Sequence, residues 1–191
     1  MRRAPALTLA IAGLGIAVCL AVFGARAPAK PGAVTPMWSE AKWPFLIDQW
    51  GTGRAFVCTP SDCGGKIEVY VRPKIGFCNC STGVSDDAEL ERVADTELLD
   101  KNVQPLGSGR AVKIGWMRGL SRLYRPAGER AAGRVLSIAF NDECDVVVAV
   151  ARLGDGDASA MTPTVVAFLN SNAMVLWAKK ELGLEYVRRE W

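Results

Sequence analysis

Six cysteines and a complete lack of histidine define which chemistry this chain of 191 residues can perform. Cys58, Cys63, Cys78 and Cys80 crowd into the stretch from Trp50 to Gly83, Cys144 follows alone, and Cys19 sits in an N-terminal apolar run. As thiolates, the clustered four could close a tetrahedral zinc site or hold Cu(I), both of which accept sulfur ligands. Their spacing, C-x4-C-x14-C-x-C, lacks the C-x2-C knuckles of zinc ribbons. The C-x-x-C at a helix start that lowers a thiol's pKa for exchange is missing too. Without histidine there is no Ser-His-Asp triad, no Cys-His pair and no imidazole base. Ser108, in Gly107-Ser108-Gly109, lacks the G-x-S-x-G context and a base, so it reads as a loop. Asp155-Gly156-Asp157 starts like a calcium loop but has Val166 at its twelfth position, where a bidentate glutamate is required. No catalytic constellation and no cofactor follow, and the expectation is a protein that is not an enzyme.

What the thiols do depends on compartment. Arg2 and Arg3 precede an apolar run from Leu7 to Phe23, and Ala25-Arg26-Ala27 supplies a small-x-small cleavage pattern. Residues 1–27 therefore read as a signal peptide, or as a membrane anchor if uncleaved. Residues 28–36 carry three prolines and read as a linker, and 37–191 as a single disulfide-stapled domain. The expected location is the periplasm, either free or anchored to the inner membrane. Removing 1–27 removes Arg2, Arg3 and Arg26 and with them the whole net charge of +3, leaving twenty cations against twenty anions. A neutral domain has no electrostatic footprint for nucleic acid. The expected partner is an envelope protein or ligand, with the membrane reached through the N-terminal segment where that is retained.

Export places the cysteines where thiols pair. With Cys19 set aside, Cys58, Cys63, Cys78, Cys80 and Cys144 are an odd set, so one stays unpaired. Gly53–Cys58 and Lys66–Arg72 alternate in character as two strands. The turn Thr59-Pro60-Ser61-Asp62 sets Cys58 opposite Cys63 at the hairpin neck, within the Cα separation of about 4.4–6.8 Å that a bridge requires. A further strand after Gly76 would put Cys78 and Cys80 on one face. Cys144 bridges one of these two, and a direct Cys78–Cys80 bond would be strained.

Other elements must position these groups. Trp38, Trp43, Phe45 and Trp50 are expected to cover one edge of the core. A helix is expected over Ser85–Leu99, capped by Asp86 with Glu89, its solvated face carrying Asp87, Glu91, Asp95 and Glu97. The segment Arg110–Arg134 is basic. Wound as a helix, it would offer Arg118, Arg122 and Arg125 to an anionic membrane surface. Laid out as a hairpin, which Gly115, Gly119 and Pro126 favour, it would turn at Arg118–Ser121 and aim its basic groups at the acidic helix or solvent. Gly133–Phe140 and Cys144–Arg152 form a central hairpin, and Thr162-Pro163 opens a last helix that stops at Gly183. The expected fold class is α+β, an antiparallel sheet of about five to six strands with two packed helices behind an N-terminal apolar helix.

The runs WPFLIDQWGTGRAFVC, CGGKIEVYVRPKIGFCNCSTGVSDDAEL, FNDECDVVVAVA and FLNSNAMVLWA together resemble a family of exported or membrane-anchored proteins of alphaproteobacteria. The resemblance spans most of residues 43–184. It implies a Gram-negative envelope location and transfers no activity, ligand or catalytic residue.

Overall fold

The structure, a computed structural model, describes residues 37–127 and 133–184. The expected signal or anchor (1–27) and linker (28–36) lie outside the described residues. Among the described residues, eight strands form one antiparallel sheet: β1 (Trp38–Ala41), β2 (Arg54–Cys58), β3 (Ile67–Lys74), β4 (Val103–Pro105), β5 (Arg110–Ile114), β6 (Met117–Pro126), β7 (Arg134–Asp142) and β8 (Asp145–Leu153). They lie in the order β1-β2-β3-β8-β7-β6-β4, with β5 also paired to β6. Four helices accompany them: α1 (Pro60–Cys63), α2 (Asp87–Val93), α3 (Ala158–Leu169) and α4 (Asn172–Glu181). Among the described residues no helix is long and apolar enough to cross a membrane.

This corrects the expected five to six strands with two helices. The edge strands β1 and β4, Trp-Ser-Glu-Ala and Val-Gln-Pro, are too short and too exposed to show a period. The last apolar run is two helices because Ser171 caps α4, its side chain accepting from the Met174 amide. Helix α3 starts ahead of Thr162-Pro163, since Asp157 caps it through the Ser159 amide and Pro163 is carried inside. The helix expected over Ser85–Leu99 does start at the Asp86 cap but ends at Val93. Ala94 is extended there (φ −59°, ψ 156°), and a separate 3-10 turn spans Thr96–Leu98.

Period-2 alternation divides the central strands between two covered faces. One face presents Ile67, Val69, Val71, Leu136, Ile138, Phe140, Val147 and Ala149, packed under Met161, Val165 and Leu169 of α3 and Met174 and Ala178 of α4. The other presents Ala139, Val146 and Val148 to Leu90 and Val93 of α2, with Val84 and Cys78 filling between. Both faces of the β7–β8 hairpin are thus buried, which is why its second strand is apolar nearly throughout. The aromatic residues serve both faces rather than one edge. Trp38 stacks on Phe168 of α3 at 4.3 Å, Trp43 and Phe45 pack edge-on against Tyr70, and Trp50 lies 4.5 Å from Phe77.

The basic segment is a hairpin, so the membrane-surface helix at 116–125 does not form. Its turn is Gly115-Trp116 rather than Arg118–Ser121, since Ile114 pairs with Met117. Gly115 has φ +58°, the glycine-first pattern of a two-residue hairpin loop. Gly119 is needed for a different reason: a Cβ there would collide with the Ala139 carbonyl of β7. A glycine that reads as a turn signal is a close-approach residue inside β6. Asn170 at the end of α3 locks the turn, accepting from the Gly115 amide at 2.9 Å and donating to the Lys113 carbonyl at 3.0 Å.

Candidate functional site

The cysteines resolve first. Cys58 and Cys63 are bridged across α1, with Cα atoms 6.1 Å apart. Pro60 at the head of this single turn and Gly64 in the left-handed conformation at its end bring the chain back to β3. Cys80 is bridged to Cys144, and Cys78 remains a buried thiol. The strand expected to carry Cys78 and Cys80 on one face is absent; the stretch from Ile75 to Asp86 is a run of turns. Cys78 points into the core while Cys80 is exposed, because Gly76 and Gly83 (φ +67° and +61°) bend the chain. Burial pushes the Cys78 thiol above its ordinary pKa, and the Glu89 and Asp145 carboxylates push the same way.

These bonds overturn the metal reading. Three of its four ligands, Cys58, Cys63 and Cys80, are consumed in disulfides, and a disulfide sulfur is no longer a thiolate ligand. Among the described residues, no group of three or more histidine, cysteine or acidic side chains is arranged to hold a metal ion. The shared anionic-surface role of Arg118, Arg122 and Arg125 is overturned by the strand period. Arg118 and Arg122 lie on one face of β6 and Arg125 on the other, and Arg122 is drawn to α2.

That Arg122 contact helps to build a cavity. Its Nε donates to the Gly107 carbonyl at 2.7 Å and its Nη1 to Glu91 at 2.6 Å. Asp87, the first residue of α2, accepts from the Gly109 amide at 2.8 Å. A Cβ at Gly109 would displace that carboxylate. The acidic face of α2 thus holds the Gly107-Ser108-Gly109 loop in place, at the edge of a cavity of about 470 Å³. The opposite wall is the first half of α3, through Ser159, Thr162 and Pro163, and the floor is Ser121, Leu123 and Leu136. Arg110 and Ser108 are exposed at its rim. Among the described residues its lining has hydroxyls, two guanidinium groups and the apolar Leu123 and Leu136, and no carboxylate, lysine, thiol or phenol. Such a lining can orient an acceptor-rich ligand.

A second group of charges lies on the α2 side of the sheet. Asp95, Arg72 and Lys74 are each 2–3% exposed. Asp95 takes two bonds from Arg72 (2.6 and 2.9 Å) and lies 2.7 Å from the Lys74 ammonium, which also caps α2 at the Val93 carbonyl (2.8 Å). Asp48 grips the outer guanidinium nitrogen through both oxygens (2.8 and 2.9 Å). Burial works against the Arg72 charge, but Asp95 and Asp48 outweigh it and hold its pKa above the usual value. Asp95 therefore does not belong to the solvated face of a helix. Every charge in this group is satisfied from within, so it fastens α2 and the Trp43–Gly51 segment to β3 and leaves nothing for a ligand.

Composition foretold none of the cavity-forming residues except the basic segment's orientation toward the acidic helix. Ser108 reads as a loop in sequence, and only the tertiary approach of α3 turns that loop into a wall. No family model matches the chain, and neither a curated protein nor a solved structure matches it.

Proposed function

We propose that this chain is an exported, non-catalytic binding or accessory module of a Gram-negative envelope, and that the cavity between α3 and the Gly107–Gly109 loop receives its ligand. The observation that carries the reading is the lining: arginine and hydroxyl donors over an apolar floor, within the volume of small-molecule sites and without an acid or base. Arg110 favours an anionic group, and Leu123 and Leu136 favour an apolar body behind it. Two disulfides support an oxidising compartment. The N-terminal apolar run and the resemblance to exported proteins of alphaproteobacteria support the same location.

Phenyl phosphate, an anion with an apolar ring, is a suitable probe. Millimolar phenyl phosphate is expected to raise the melting temperature of the full chain, more than inorganic phosphate does. Arg110→Glu should abolish the shift while leaving the ligand-free melting temperature near its original value. No shift with the wild-type chain, or an equal shift with Arg110→Glu, would remove the cavity from the account.

A further inference from the structure

Cys144 occupies the two-residue turn between β7 and β8, and two other cysteines reach it. Cys80 is bonded to it, with Cα atoms 4.2 Å apart. The Cys78 amide donates to the Cys144 carbonyl at 3.1 Å, and the Cys78 thiol donates to the neighbouring Glu143 carbonyl at 3.1 Å. These two bonds hold Cys78 against the Glu143-Cys144 turn that carries the disulfide. Cys80 is exposed and borders an open cavity of about 330 Å³, whose walls carry one cation, Arg118, and one acid, Glu143, with Ser81, Thr82, Trp116 and Asn141. Those walls share no residue with the groove beside α3.

We propose that Cys78, Cys80 and Cys144 form a thiol–disulfide exchange site whose substrate is a small, anionic, low-molecular-weight disulfide. In the first step the minor thiolate fraction of Cys78, kept small by burial, attacks the Cys144 sulfur. A Cys78–Cys144 bond forms, the Cys80–Cys144 bond breaks, and the proton lost by Cys78 passes to Cys80. No oxidant or reductant is consumed. The step moves this thiol from the core to the rim of the cavity, whose walls include Arg118, a cation of the kind that favours a thiolate. In the second step the Cys80 thiol gives up that proton, its thiolate attacks the external disulfide RSSR to form Cys80–S–S–R, and the released RS⁻ takes the proton and leaves as RSH. Arg118 attracts the substrate's carboxylates.

Glutathione disulfide is the probe. The full chain is incubated with it, quenched in acid, alkylated and mapped by peptide mass spectrometry. A glutathione adduct on Cys80, accompanied by a Cys78–Cys144 linked peptide, is expected. An adduct on Cys78, or none, would overturn the proposal. Cys78→Ser removes the thiol that starts the exchange, so the adduct on Cys80 should be lost; its persistence would also overturn the proposal. Cys80→Ser gives an independent reading that does not need the probe. It should be isolated with Cys78 and Cys144 bonded to each other, whereas finding both as free thiols would show that Cys78 cannot reach Cys144.

Discussion

Asp95 pairs with two side chains buried out of water, Arg72 through two hydrogen bonds and Lys74 through one ion pair. A buried pair adds little net stability when intact, because desolvation offsets the attraction, yet removing one partner strands the other. Asp95→Asn strands two. We expect it to destabilise the domain by about 3–5 kcal/mol, read as a lower midpoint in urea with an unchanged slope. A loss under about 1 kcal/mol would mean that water reaches Arg72 and Lys74. The sequence conceals this arrangement for a simple reason. In Lys-Ile-Glu-Val-Tyr-Val-Arg-Pro-Lys the charged positions alternate with apolar ones, the pattern of a strand with one wet face. Here both faces are covered, and the polar face is neutralised by residues 23 and 24 positions away from Arg72.

The two disulfides act on elements of different reach. Cys58–Cys63 closes a separation of 5 residues within one hairpin, and Cys80–Cys144 closes one of 64, joining the turns before α2 to the tip of the central hairpin. The entropy removed from the unfolded chain grows with the logarithm of the loop, so Cys58→Ser should cost about 2 kcal/mol and Cys144→Ser about 4 kcal/mol. Urea unfolding of the two variants under non-reducing conditions measures both. Equal losses would show that the longer loop is already constrained in the unfolded state. Elements of this kind were legible where local pattern and tertiary role agree. The β2–β3 and β7–β8 hairpins and the Asp86 cap all carry strong local signals, and each forms. Helix α2 stops early because Lys74 reaches the Val93 carbonyl and Asp95 turns inward, a tertiary demand with no local trace. The groove was not legible at all, since the residues around it come from the Gly107 loop, β6, β7 and α3 and meet only after the sheet is assembled.

For the molecule as a whole, the lack of histidine governs how stability responds to pH. No side chain in the 191 residues has an ordinary pKa between about 5 and 8, so folding neither binds nor releases protons there through imidazole. Cys78 is held above its usual value, which keeps it protonated across that window. Acid is different. The Arg92 side chain holds Glu89 below the usual carboxylate range, and Arg54 does the same for Glu40. At Asp48 burial opposes the charge, but the Trp50 amide and Arg72 outweigh it and lower its pKa as well. A folded-state pKa below the unfolded one means that the unfolded chain binds protons first as pH falls. The stabilisation is therefore complete above the unfolded carboxylate value of about 4 and drains away as pH drops through the lowered folded values. Glu89 should dominate, since its side chain is 15% exposed against 53% for Glu40 and 42% for Asp48, which leaves it least screened by salt. The expected profile is a flat urea midpoint from about pH 5.5 to 8 and a steep fall below about pH 4. Glu89→Gln should shallow that fall while lowering the plateau. A midpoint that instead rises as pH falls from about 7 to 6 would mark a buried carboxyl whose folded pKa lies above the unfolded one, since the folded chain would then bind the proton first.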